Sequence, residues 1–461
     1  MTRLNLSVGH YYSVHEQIPR EIAVNVLRQR ETGGEYVETL LENELIQTPL
    51  SPVNRGLCQE LVYGIVRWQT TLDWLIARKT EGREQKPALQ ILLRLGLYQM
   101  FWLDRVPNHA AVHETVELAK KLGFGPQAGF VNAVLRGYTR ERVPTEELLQ
   151  ELKVKEPHLG YSHPEWLCQR WFARWSAEQT AQLLGANNTP PTTFARLNTL
   201  KTDATALAVQ WQKEGVKFAA RSWDWTGDGL VFQLESHPPL AGLRSFKQGW
   251  FYVQDPSTLL AVHELNPQPG ESVLDLCAAP GGKTTFIAQR MQNRGKIFAQ
   301  DNQPDRLALI HENCTRLGVT CVEISVAPNA FIAHPAKRFD RVLVDAPCSN
   351  TGVMRRRVDL RWRIRPEEIE RLRAEQLEIL RHAAPRLKPG GTLAYSTCSL
   401  EPEENSEVVK AFLAEHTDFQ LENERELLPF VEGVDGAYVA RLKRIRPADS
   451  RATESSTPRL G

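Results

Sequence analysis

The sequence has little of what identifies most enzyme classes. Its seven cysteines, at 58, 168, 277, 314, 321, 348 and 398, include no Cys-x-x-Cys pair and no Cys/His cluster at zinc-ligand spacing, so no metal site is expected. An odd, dispersed set of thiols does not make a disulfide framework either; it implies a reducing compartment with some thiols free for chemistry. No stretch approaches 18 consecutive apolar residues, and "MTRLNLSVGHYYSVHEQIPRE" lacks the apolar core of a signal peptide. A soluble, cytoplasmic protein without a membrane partner is therefore expected. Neither charge sign is in excess: 56 Lys and Arg against 55 Asp and Glu leave +1. Any nucleic-acid surface has to be a local patch.

Nucleotide signatures fail as well. "DLCAAPGGKT", residues 275–284, ends like a phosphate loop, but G-x-x-x-x-G-K-[ST] requires a first glycine where Cys277 stands. The dinucleotide pattern G-x-G-x-x-G fails too, because the only glycines here are the adjacent Gly281 and Gly282.

The 461 residues suffice for two or three domains. Residues 1–148 read as an independent helical domain: "PREIAVNVLRQRE", "YVETLLENELI", "RGLCQELVYGIVRWQTTLDWLIARK", "ALQILLRLGLYQMFWL", "HAAVHETVELAKKLG" and "QAGFVNAVLRGYTRE" carry apolar residues at three- and four-residue spacing. Lys120, Lys121, Arg136, Arg140 and Arg142 either face RNA or form a solvated face. Residues 149–245 read as a small α+β region, with strand character in "TFARLNTLKTD", "VKFAA" and "GLVFQLE". Residues 246–447 alternate apolar strands with helices, which implies a mostly parallel, doubly wound α/β sheet of Rossmann-like type. The polar tail, residues 448–461, is expected to be disordered.

Ligands of such a sheet bind beyond the carboxyl ends of its strands. Four groups fall at those ends. After "SVLDL", the small residues Ala278, Ala279, Gly281 and Gly282 allow close backbone approach, and the following helix turns its amides toward a ligand. Asp301 ends "KIFAQD", where an acid takes ribose hydroxyls, or alternatively caps a helix. Together these suit a nucleoside cofactor without a polyphosphate, S-adenosylmethionine rather than NAD or ATP. The other two groups, "DAPCSNTG" from Asp345 and "STCS" from Ser396, each place a cysteine at the same edge.

Two thiols have a use in methylating carbon 5 of cytosine. That carbon is a poor nucleophile until a thiolate adds to carbon 6. Afterwards a proton must leave and the thiol must be expelled. An acid such as Asp345 can hydrogen-bond the base, which has to leave its stack to reach the crevice.

"FYVQDPST", "DLCAAPGGKTT", "DAPCSNTGV" and "STCS", in this order, resemble the RNA cytosine carbon-5 methyltransferases of the Fmu/Sun and nucleolar NOP family. The N-terminal helices resemble the NusB-like RNA-binding domain of its bacterial branch, the ribosomal RNA small subunit methyltransferase B type. The resemblance covers residues 10–445. It implies that Cys277, Ala278, Ala279, Pro280, Gly281, Gly282 and Lys283 form the S-adenosylmethionine loop and that Asp301 takes the ribose. By the same resemblance Asp345 is implied to line both cofactor and base. The resemblance also implies that Cys398 is the nucleophile and that Cys348 assists breakdown of the adduct, an order that spacing alone leaves open. The implied substrate is small-subunit (16S) ribosomal RNA, and a monomer is expected.

Three positions depart from the family pattern. "CVEISVAPNAF" lacks the usual adenine-contacting acid: either Asn329 substitutes as a neutral hydrogen-bonding group or the contact is absent. Asn350 stands where a small residue is usual. "DGAYVARL" leaves Tyr438 as a lone aromatic. Between the cysteine motifs, Thr351–Lys388 holds eleven Lys/Arg against six Asp/Glu. In this stretch Arg355, Arg356, Arg357 and Trp362 are expected to meet RNA phosphate and bases.

Overall fold

The structure, a computed structural model, describes residues 18–326 and 337–445; Asn329 and the tail 448–461 lie outside them. The chain forms two compact units. One runs to Thr189 and also takes in Met354–Arg363; the other comprises Pro190–Val353 and the chain from Ile364. No helix among the described residues is long and apolar enough to cross a membrane.

The first unit is all helix. Its central helix, Pro87–Trp102, is apolar on nearly every face and buries Leu92, Leu93, Leu95, Leu97 and Met100, as a helix surrounded by others must. The expected single run "RGLCQ…IARK" is two helices, Pro52–Arg67 and Gln69–Thr80, broken at Trp68. Ser51 starts the first of these, accepting the Asn54 N–H with Pro52 in the first turn. The helices continue past residue 148 to Ala177–Asn188, which Ser176 and Gln179 open with a reciprocal capping box.

Met354–Arg363 is built into this helical unit. Val358 belongs to its apolar core. Asp359 is fully buried, pairing with Arg30 at 2.6 Å and Arg363 at 2.9 Å and accepting the Val37 N–H. The buried Arg361 guanidinium donates to the carbonyls of Arg67, Ser162 and Asn187 and to Asn188 Oδ1. Trp362 donates its indole N–H to the Val66 carbonyl at 2.7 Å. The expectation that this stretch meets RNA is thus corrected for Arg355, which is buried; Arg356 and Trp362 are half-buried, the latter with its indole N–H already taken, and Arg357 is exposed. Three of the five basic residues noted on the helices pair with acids of the same unit, Lys120 with Glu117, Lys121 with Glu21 and Arg142 with Glu146, while Arg136 donates to Asn132 Oδ1.

The second unit holds two sheets. Strands β1 (Thr193–Leu197), β2 (Lys217–Arg221), β3 (Val231–Ser236) and β4 (Phe251–Val253) form an antiparallel sheet in the order β2-β3-β1-β4. β4 comes from "FYVQDPST", on the far side of the expected boundary at 245. The larger sheet contains β5 (Ser272–Leu276), β6 (Lys296–Asp301), β7 (Val322–Val326), β8 (Phe339–Asp345), β9 (Leu387–Thr397), β10 (Phe419–Leu427) and β11 (Ala437–Arg444). Its order is β10-β11-β9-β8-β5-β6-β7. β5 to β9 run parallel, while β11 and β10 add antiparallel at one edge. Tyr438, on β11, is core: its hydroxyl donates to Glu424 at 2.5 Å.

Candidate active site

The strand order reverses between β5 and β8, which makes a crevice at their carboxyl ends. Asp275–Lys283 leaves β5, Asp301 ends β6, Asp345 ends β8 and Cys398 follows β9. All four sequence-derived groups therefore reach one edge.

The loop after β5 is fixed by its own backbone. Cys277 takes a left-handed conformation, the Ala279–Pro280 bond is cis, and Gly281, at φ 97°, caps the helix Gly282–Arg290. The N–H of Ala278 donates to the Gln300 carbonyl at 3.0 Å. Arg306 holds the Ala279 carbonyl at 2.6 Å and Asn313 the Pro280 carbonyl at 3.0 Å. From the smaller sheet, the buried Arg196 donates to the Gly282 carbonyl at 2.9 Å and to Thr285 Oγ1 at 3.0 Å. Arg196, Arg306 and Asn313 carry no motif, so a single sequence offers no signal for them.

Charge decides what this loop accepts. Lys283 donates to Asp345 Oδ2 at 2.7 Å. Burial disfavours its ammonium, but the Asp345 carboxylate outweighs that and holds the Lys283 pKa above its ordinary value. A lysine already neutralised in this way is a poor phosphate ligand. Asp275 is completely buried, and burial, reinforced by the Asp345 and Asp301 charges, pushes its carboxyl up to about 7 against the hydrogen bond from Thr284. Its Oδ1 has no hydrogen-bond partner among the described residues. Both cations beside these carboxylates are already paired, Lys283 with Asp345 and Arg306 with Asp301 at 3.7 Å, so neither is left free to hold a polyphosphate. Asp301 accepts the Ala279 N–H at 3.0 Å and the Gln303 N–H at 3.1 Å, one on each oxygen. Arg306 also approaches Oδ1 at 3.7 Å, and of a carboxylate's roughly four acceptor positions the Oδ2 side keeps one for a ligand's hydroxyl. The helix Pro304–Leu317 has Gln303 as its N-cap, without a side-chain cap bond, so Asp301 closes a turn and does not cap the helix.

Beyond Asp345 the two thiols meet. Cys348 and Cys398 lie 3.2 Å apart, sulfur to sulfur, and the Cys398 N–H points at Cys348 Sγ at 3.3 Å. Cys348 is buried, whereas Cys398 is half-buried. The bond to Cys398, then burial, raise the Cys348 pKa well above an ordinary thiol's. Asn350, left-handed at φ 59°, accepts from the Cys398 thiol at 3.0 Å and donates to the Cys348 carbonyl at 2.6 Å. The residue at which the sequence departs from its family pattern thus spans both cysteine loops. Gly352 permits their approach: its N–H donates to the Cys398 carbonyl, and a Cβ there would sit 2.8 Å from that oxygen. Ser396 donates to Asp345 at 3.3 Å.

Three family models match in chain order. The NusB family covers residues 17–140, a ferredoxin-like domain of RsmF/B-like methyltransferases covers 163–235, and the 16S rRNA methyltransferase RsmB/F model covers 262–443. Over 445 residues the chain is 36% identical to a Bacillus subtilis protein named "Probable ribosomal RNA small subunit methyltransferase B", covering 92% of this chain and 98% of that one. The chain belongs to the ribosomal RNA small subunit methyltransferase B family. Another family member, the Ribosomal RNA small subunit methyltransferase B of Erwinia tasmaniensis, is 38% identical over 438 residues, 92% of this chain and 98% of its own. Among solved structures, a methyltransferase homolog from Pyrococcus horikoshii is 30% identical with a TM-score of 0.55, covering 62% of this chain and 97% of that one. The family's three-part architecture is the fold described above: NusB domain, ferredoxin-like region, Rossmann-like methyltransferase domain.

Proposed function

We propose that this protein methylates carbon 5 of a cytosine in RNA, its substrate being small-subunit (16S) ribosomal RNA, with S-adenosylmethionine as methyl donor and Cys398 as covalent nucleophile. The observation that carries this reading is the pair of thiols 3.2 Å apart, beside Asp345, at the edge where the cofactor loop ends. S-adenosylmethionine supplies an electrophilic methyl group on a sulfonium. The residues fit it: small Ala278 and Ala279, an acceptor position on Asp301, and a lysine and an arginine already paired with Asp345 and Asp301, so that neither stands free against a sulfonium.

Cys398 Sγ adds to carbon 6 of the cytosine, while Asp345 holds the base by its amine or protonated ring nitrogen. This addition makes carbon 5 nucleophilic and able to take the methyl group. The carbon-5 proton then leaves, the ring double bond re-forms and Cys398 is expelled. Cys348 assists this last stage. Its bond to Cys398 is the largest cause of its raised pKa. Cys348 Sγ, 3.2 Å from the Cys398 sulfur, is within reach of the proton movement that accompanies this release. The greater exposure of Cys398 than of Cys348 supports assigning the attack to Cys398.

The test is methyl transfer from labelled S-adenosylmethionine to RNA, with two cysteine variants. Cys348→Ala is expected to attack and transfer but not release, accumulating a protein–RNA adduct that survives denaturing electrophoresis and vanishes with RNase. Cys398→Ala, alone or combined with Cys348→Ala, is expected to give neither adduct nor product. Adduct with Cys398→Ala and none with Cys348→Ala would reverse the two roles.

A further inference from the structure

Both cysteine loops rest on a single buried carboxylate outside all four motifs. Glu404 lies in the turn Pro402–Glu404 that follows β9 and is fully buried. Its Oε1 accepts the backbone N–H of Ser349 at 2.8 Å and Gln376 Nε2 at 3.0 Å. Its Oε2 accepts the hydroxyls of Ser349 and, at 2.5 Å, Ser399. Ser349 directly follows Cys348 and Ser399 directly follows Cys398, and the two serine oxygens are 3.0 Å apart. Gln376 also donates to the Pro347 carbonyl at 2.8 Å, on the other side of Cys348. The Tyr395 hydroxyl fixes the Glu404 carbonyl at 2.6 Å, so the clamp itself is anchored to β9.

Four donors fill the acceptor positions of one carboxylate. A glutamate needed only for a packed core is replaceable by an apolar residue, and a buried charge is costly unless it is fully bonded. Here all four bonds go to the two loops and to the glutamine that braces one of them. The carboxylate therefore sits where it fixes one loop's height against the other.

We infer that Glu404 is the positioning residue that sets the spacing of Cys348 and Cys398, through the serine that follows each. It touches neither sulfur. The inference deepens the function proposed above and rests on it for its catalytic consequence, but the geometry can be read without RNA. Diamide takes two protons and two electrons from neighbouring thiols, becoming a hydrazine and leaving a disulfide. In the full-length protein the Cys348–Cys398 disulfide, located by peptide mass spectrometry, is expected to form readily. Glu404→Ala is expected to slow it roughly tenfold, because the gain from proximity is lost. Glu404→Gln, which keeps an acceptor for Ser349 and Gln376, is expected to recover part of the rate. Ser399→Ala, a milder change that leaves the carboxylate's other partners, provides the same measurement should Glu404→Ala fail to fold, and is expected to slow the reaction too. In methyl transfer, kcat of Glu404→Ala is expected to fall about 100-fold with the KM for RNA unchanged, as a displacement near 1 Å implies. Disulfide formation at the wild-type rate in folded Glu404→Ala, or in Ser399→Ala where the glutamate variant does not fold, would overturn the inference. Absence of RNA methylation by the wild-type protein would instead refute the proposed function and leave the disulfide comparison intact.

Discussion

At the scale of single residues, charge placement separates this site from the nucleotide loops it resembles in sequence. Lys283 spends its ammonium on Asp345, and Asp275 sits beneath the loop with one oxygen bonded to Thr284. A native-state ligand raises stability by about 2.7 kcal/mol at a hundred times its Kd. S-adenosylhomocysteine is accordingly expected to raise the Tm and ATP is not; the reverse would restore the phosphate-loop reading. Asp275 also makes a pH prediction. Its carboxyl rises to about 7 on folding, so the folded protein holds a proton that the unfolded chain releases near pH 4. The stability this contributes is present below pH 4 and is lost as pH rises through about 7. Asp275→Asn removes that dependence. Urea unfolding should therefore show the variant gaining on the wild type between pH 4 and 7; a constant difference across that range would contradict the raised pKa.

At the scale of elements, the cofactor loop works because its backbone is already shaped. Gly281 is left-handed at φ 97°, and a Cβ there would press on Ile310 at 3.3 Å. Gly281→Ala is expected to cost about 1–3 kcal/mol and to weaken S-adenosylhomocysteine binding, measured by calorimetry; unchanged affinity would mean the loop tolerates another conformation. The strands that carry the site were readable from sequence, since "KIFAQD" and "FDRVLVD" each hold a short apolar stretch, Ile297–Ala299 and Val342–Val344, just before a closing acid, and they are β6 and β8. The break at Trp68 was not, because both flanking helices share one unbroken apolar spacing. Nor was the antiparallel pairing of β4 with β1, which depends on partners far apart in the chain.

At the scale of the whole molecule, Met354–Arg363 is a piece of the helical unit supplied from between the two cysteine motifs. Asp359 is buried against Arg30, and removing one partner of a buried pair costs roughly 3–5 kcal/mol. Asp359→Ala is expected to lower the urea midpoint of the helical unit accordingly; an unchanged midpoint would show the pair to be dispensable. A fragment of residues 1–189 lacks this piece, and a peptide of residues 354–363 is expected to raise its Tm. No shift on adding the peptide would mean that the fragment completes its core without it. The sequence alone determined the class of each region and the four groups at the strand ends, because helical spacing, apolar strand runs and local motifs are properties of neighbouring residues. Tertiary structure alone decided that "RRRVDLRWRIR" is largely interior, that Asn350 bridges the two thiols and that Glu404 underlies both. Those facts depend on which distant groups meet, and a charged side chain looks the same in sequence whether water or a buried partner satisfies it.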